Sequence, residues 1–208
     1  MSRWDQHIRW QSIRITEPTA LPLTVPYVRD EVLRVANGTV EDTHIERLIR
    51  AATSMAELDT DRALMPQTWR MTLSGFPAGP IVLPRPPLIE VDSVAYVDTA
   101  GDTQALTGSP PEYRLKPSGL WSRAELWPIE NTAWPSTASV PNAVVIEFQC
   151  GFAVTASSEP PDVTVFSDIL VGIELAVAEL YKQRSLSVHA VHNTKSVLQT
   201  DRFWRQVP

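Results

Sequence analysis

His189 and His192, spaced H-x-x-H, are the nearest approach to a metal-ligand pair in this chain. They sit in a polar stretch, SVHAVHNTKS, with no Cys nearby, and the simpler reading is two surface imidazoles. Asp59 and Asp61, beside Arg62, would end a helix, where acids oppose the dipole. Such a pair could hint at acid–base work, but an exposed turn with a local Asp–Arg pair explains it more simply. Cys150 is the lone cysteine and cannot form an internal disulfide; its apolar run EFQCGF reads as a buried small side chain. The chain has no G-x-x-x-x-G-K-[ST], no G-x-G-x-x-G, no H-E-x-x-H and no G-x-S-x-G, and only 8 Gly to build phosphate cradles. The expectation is therefore no catalytic residues, no metal and no cofactor: a protein that is not an enzyme.

The elements around these residues fall into two kinds. Between Pro66 and Pro161 lie 14 of the 18 prolines, among short alternating apolar runs, with helical patterns on either side. The first helix is expected over 24–36, with Thr24 as N-cap, Pro26 in the first turn and Asn37-Gly38 as the stop. The second, over 40–58, carries Glu41 and Asp42 in its first turn and a stripe of Ile45, Leu48, Ile49, Ala52, Met55 and Ala56. The third, over 162–184, repeats the pattern with Phe166, Leu170, Ile173, Ala176, Val177 and Leu180. The stripes of the second and third helices are expected to face each other.

From Gln67 the period becomes two: Trp69, Met71, Leu73; Ile81, Leu83; Ile89, Val91; then, one step out of phase, Val94 and Tyr96. The slip at Asp92-Ser93 predicts a bulge, Thr99 to Asp102 a hairpin turn, Tyr113 to Leu115 a short strand, and Ala143 to Phe148 the strongest later one. So many prolines push these strands toward edges and ends. The fold class is α+β: a small bundle of three main helices, an inserted proline-rich antiparallel β module and an extended C-terminal tail. The expected division is an N-terminal arm at 1–23, a main domain at 24–185 with the β insertion at 67–150, and the tail at 186–208. Residues 10–15 alternate well enough for one strand, which Pro18 and Pro22 would stop.

At 208 residues and 43% hydrophobic, the chain can bury one good core or a core with a satellite, and seven Trp offer surplus apolar surface that an interface would cover. Large Trp filling a thin β layer would account for it equally. A net charge of −6 argues against a nucleic-acid binder. No apolar run reaches the 18 to 20 residues of a membrane span, and the first 15 residues lack a signal peptide's apolar stretch. The expected site of synthesis is the cytoplasm, with no membrane partner.

Several strings together resemble one family. They are R-A-L-x-x-Q-T-W at Arg62 to Trp69, F-P at Phe76-Pro77, L-P-R-P-P-L at Leu83 to Leu88, V-x-Y-V at Val94 to Val97, W-P at Trp134-Pro135 and P-N-A-V from Pro141. In this order, between two helices and a closing helix, they are similar to the head-to-tail connector (adaptor) proteins of long-tailed bacteriophages, prophages and gene transfer agents. The resemblance implies a structural virion protein, commonly twelve copies in a ring beneath the portal, at the head–tail junction. Its helical core would form the ring wall, double-stranded DNA would pass through the lumen without tight binding, and a stopper or tail-completion protein would adjoin it.

The C-terminal tail carries Val197, Leu198, Arg202, Phe203, Trp204 and Arg205 after a polar spacer, the pattern of an interface anchor. The resemblance implies the portal as its partner, through strand addition to an exposed edge. The alternative is that the segment folds back on its own domain. Two other functions compete: a neighbouring stopper or tail-completion protein, and a glycan or small-molecule-binding domain built on Trp121, Trp127 and Trp134.

Overall fold

The computed structural model describes residues 9–35, 39–107, 112–118, 122–130, 132–152, 154–155, 162–163 and 167–183. The fold is mixed α+β. It divides into two compact units, one from Met1–Glu17 with Gln67–Gly151, the other from Pro18–Pro66 with Phe152–Pro208.

The second unit is helical. Thr24 is extended and its hydroxyl accepts the Tyr27 N–H at 3.3 Å, so α1 (Val25–Tyr27) starts where the cap residue and Pro26 direct it. The chain then widens into a π-helical turn, Val28–Leu33, that ends at Arg34 with φ 53. The expected stop at Asn37-Gly38 is thus pre-empted: the Arg29 carbonyl receives both the Arg34 and Val35 N–H groups, which closes the turn early. Helix α2 spans Thr39–Thr60 and buries Ile45, Ile49, Ala52 and Ala56. It closes with Asp61 left-handed at φ 55 and the Arg62 N–H on the Glu57 carbonyl at 3.2 Å, a Schellman arrangement.

Helix α3 runs over Ser167–Gln183 and contributes Ile169, Ile173, Ala176 and Val177 to the same buried cluster, with Leu23, Val28, Leu64 and Met65. The two stripes meet as their spacing requires. Leu48 and Leu170 lie at the cluster's margin rather than inside it. The helix begins later than residue 162 because Asp162–Val163 (β10) pairs antiparallel with Val154–Thr155 (β9). Phe166 lies outside the described residues. Within this unit α2 and α3 run in opposite directions, since the Tyr181 hydroxyl in the last turn of α3 bonds Glu41 in the first turn of α2.

The first unit is built from antiparallel strands. One sheet has the order β1-β2-β8-β4-β5, formed by Trp10–Thr16, Gln67–Leu73, Val144–Cys150, Leu88–Val97 and Thr103–Leu106. A smaller sheet joins β3 (Ile81–Val82), β7 (Glu125–Pro128) and β6 (Tyr113–Lys116). Alternation in β8 buries Val144, Ile146, Phe148 and Cys150, which pair in register with Leu73, Met71, Trp69 and Gln67. Register shifts in β4 fall between Leu88 and Glu90 and between Val91 and Ser93, the second at the predicted phase slip. The β4–β5 hairpin turns at Gly101 (φ 93), where the Asp98 carboxylate accepts the Ala100 and Asp102 N–H groups and the Gln104 amide. Trp10–Thr16 is an edge strand of the large sheet, paired along β2 with an irregularity between Arg14 and Thr16.

Candidate functional site

The residues that suggested chemistry are held as structure. Arg62 is 2% exposed, and Asp59 and Asp61 are half-buried, so this is not the exposed turn expected from sequence. Asp61 occupies the left-handed position that ends α2, while the buried Glu57 carboxylate accepts the Leu64 N–H at 2.8 Å and fixes the chain leaving the helix. Cys150 is buried and free of any disulfide, at the end of β8. Among the described residues no group of three His, Cys, Asp or Glu could hold a metal ion. His189, His192 and the tail residues Val197, Leu198, Arg202, Phe203, Trp204 and Arg205 lie outside the described residues.

The strings that carry the family resemblance form two packing knots in the β unit. In the first, Gln67 Oε1 accepts both the Trp69 indole N–H (3.1 Å) and an Arg14 guanidinium N–H (3.2 Å), while the Arg85 guanidinium lies 5.2 Å from the Trp69 ring centroid. Arg85 belongs to L-P-R-P-P-L, in which Leu83, Pro84 and Pro86 are buried. In the second, Phe76 stacks on Trp134 at 4.9 Å and meets Tyr96 edge-on at 5.5 Å, and the Trp134 N–H donates to the Gly79 carbonyl at 2.9 Å. F-P, W-P and V-x-Y-V, far apart in sequence, therefore converge. Arg14 is the partner that sequence reasoning missed, because only sheet pairing brings it to Gln67.

The second knot forms part of the wall of a cleft of about 1250 Å³ shared by Arg9, Trp10, Thr72, Ser74 and the 133–142 segment. Of the three Trp weighed as a stacking platform, Trp134 is used in packing, Trp127 is 42% exposed with its N–H on Glu125, and Trp121 lies outside the described residues.

Charge in the helical unit is used for stapling. Arg29 grips both oxygens of Asp42 (3.0 and 3.1 Å) and also pairs with Asp30 at 2.8 Å, which holds the Asp30 carboxyl below the usual range. The Tyr27 hydroxyl donates to Glu174 at 3.0 Å, and this bond raises the phenol. Part of what remains outward is apolar. Helix α3 presents Val171 and Leu175, 47% and 53% exposed, and α2 presents Leu58, 67% exposed, in line with exposed Ser54, Ala51 and Arg47. Edge strand β1 leaves Trp10, Ile13 and Ile15 exposed.

No protein-family model and no curated protein matches the chain. Solved structures do. The fold is shared with a chain from the neck of an empty gene transfer agent particle computed with C6 symmetry (TM-score 0.70, 22% identity, 95% of this chain and 96% of that one). A chain from the neck of the native particle computed with C12 symmetry is similar at TM-score 0.67 and 21% identity, again over 95% and 96%. A chain from the virion of a native gene transfer agent particle gives 0.68 and 23% with the same coverage. At these identities the likeness establishes the fold.

Proposed function

We propose that this chain is a structural protein of the neck of a phage-like or gene transfer agent particle, and within it the adaptor that joins portal to tail as a ring. The observation that supports this most is coverage: the likeness takes in both units and nearly the whole of the neck chains, rather than one common module. The particle and neck setting belongs to those structures, and their C6 and C12 symmetry supports a homo-oligomeric ring here. In this reading the tail residues Val197, Leu198, Arg202, Phe203, Trp204 and Arg205 grip the portal, a stopper or tail-completion protein binds below, and DNA passes through the lumen. The net charge of −6 suits a conduit, because basic contacts repeated round a ring would add by avidity and hold the DNA.

Electron microscopy of particles from the producing cell, with the chain carrying a C-terminal label, tests this. Label at one ring between head and tail is expected. Label on the capsid shell, on the tail tube or absent from particles would sink the reading. A stopper would instead be labelled on the tail side of a ring formed by another protein.

A further inference from the structure

We infer that subunits close their ring through two different faces of the helical unit, the outer stripe of α3 on one subunit against the outer stripe of α2 on the next. The inference rests on the ring reading above and names its contact.

The buried stripes of α2 and α3 meet in one cluster. At 100° per residue, Arg47, Ala51, Ser54 and Leu58 lie on the side of α2 away from Ile45, Ile49, Ala52 and Ala56. Asp168, Val171 and Leu175 likewise lie on the side of α3 away from Ile169, Ile173, Ala176 and Val177. The two outer stripes therefore point away from each other. They also differ: α3 offers two large apolar side chains, α2 small residues with a leucine at one end. Helix α3, apolar on both sides, calls for a second face to bury its outer one, and two unlike faces on opposite sides of the helix pair make the head-to-tail contact that closes into a ring.

Symmetry fixes the direction. Within one subunit α2 and α3 are antiparallel. Rotation by one ring step leaves the neighbour's α2 running nearly as its own does, so it meets α3 antiparallel as well. Laid antiparallel with Leu175 over Ala51 of the neighbour, Val171 falls over Ser54, and Glu179 falls opposite Arg47. Large residues then enter the hollow left by small ones. In that register the half-buried Glu179 faces the exposed Arg47 of the neighbour's α2.

The test uses the full chain in assembled particles, with Ala51→Cys and Leu175→Cys introduced together and separately; Cys150 is buried and silent. After mild oxidation, the double variant should run on a non-reducing gel as a ladder of multimers, and each single variant as monomer. A monomer-only double variant in particles that contain the chain would overturn the interface and leave the neck reading intact. Dimers from either single variant would overturn it too, by showing a face that pairs with itself. Particles lacking the chain would sink both. Charge reversal is the independent arm: Arg47→Glu should cut tailed particles at least about tenfold, and adding Glu179→Arg should restore them to within about threefold. No restoration by the second change would overturn the register.

Discussion

Glu57 does a job that glycine or a second capping residue does elsewhere. Its carboxylate reaches from the last turn of α2 to the Leu64 N–H, so the chain leaves the helix with a buried donor satisfied. Glu57→Ala should cost about 1–3 kcal/mol because that donor is orphaned, whereas Glu57→Gln, which keeps an acceptor, should cost less than half as much. Urea unfolding of both variants decides it; equal losses would mean that volume and not the hydrogen bond matters. At this scale the sequence was partly legible. A lone Cys in an apolar run is buried, as its surroundings predicted. Arg62 is 2% exposed against every composition rule, because its place is set by the left-handed turn at Asp61 that follows α2. A charged residue's burial depends on the backbone path around it, which a residue type does not encode.

Among the elements, those with a long unbroken period were readable and those made by distant pairing were not. Helix α2 and the slip in β4 follow from spacing alone. The π-helical turn did not, since Val28, Val32 and Leu33 suit a 3.6- or a 4.4-residue turn equally. The place of Trp10–Thr16 beside Gln67–Leu73 is a pairing across half a hundred residues, invisible to a local window. Burial now grades the helix contact. Ile173→Ala, at a fully buried position, should cost about 2–5 kcal/mol, and Leu48→Ala, at the margin, about 1–2 kcal/mol. The reverse order in denaturant unfolding would mean the helices pack differently. The β4–β5 hairpin gives a pH dependence. Hydrogen bonds from the Gln104 amide and then from the turn N–H groups hold the Asp98 carboxyl below its usual value. A depressed folded-state value contributes stability that is complete above the unfolded value, near 4, and fades as pH falls through the folded one. Amide exchange across Thr103–Leu106 should therefore speed up as pH drops below about 4, beyond the intrinsic rate change. In Asp98→Ala that extra acceleration should be absent, because exchange is already fast at neutral pH. An unchanged profile would remove Asp98 from the turn's support.

For the whole molecule, charge and tail make separate claims. With 24 acids against 18 bases, duplex DNA should bind no tighter than about 10 μM at physiological salt. Fluorescence anisotropy showing sub-micromolar affinity with a steep salt slope would rule out a passive conduit. The tail claim turns on where the cores are. Among the described residues, the buried helical cluster lies before Gln183 and the β unit ends at Gly151. If Val197 to Pro208 is an anchor, both units fold without it. The sequence favours that use: a polar spacer leads to Val197, Leu198, Arg202, Phe203, Trp204 and Arg205, and Trp and Arg carry most of the energy in protein contacts. Deleting 197–208 should leave the melting midpoint within about 2 °C of the full chain. In cells, filled heads without tails should accumulate, and supplying the full chain should restore tailed particles. A truncated chain that melts far lower would make the segment part of its own core. Tailed particles assembled from a truncated chain of normal stability would overturn the anchor reading.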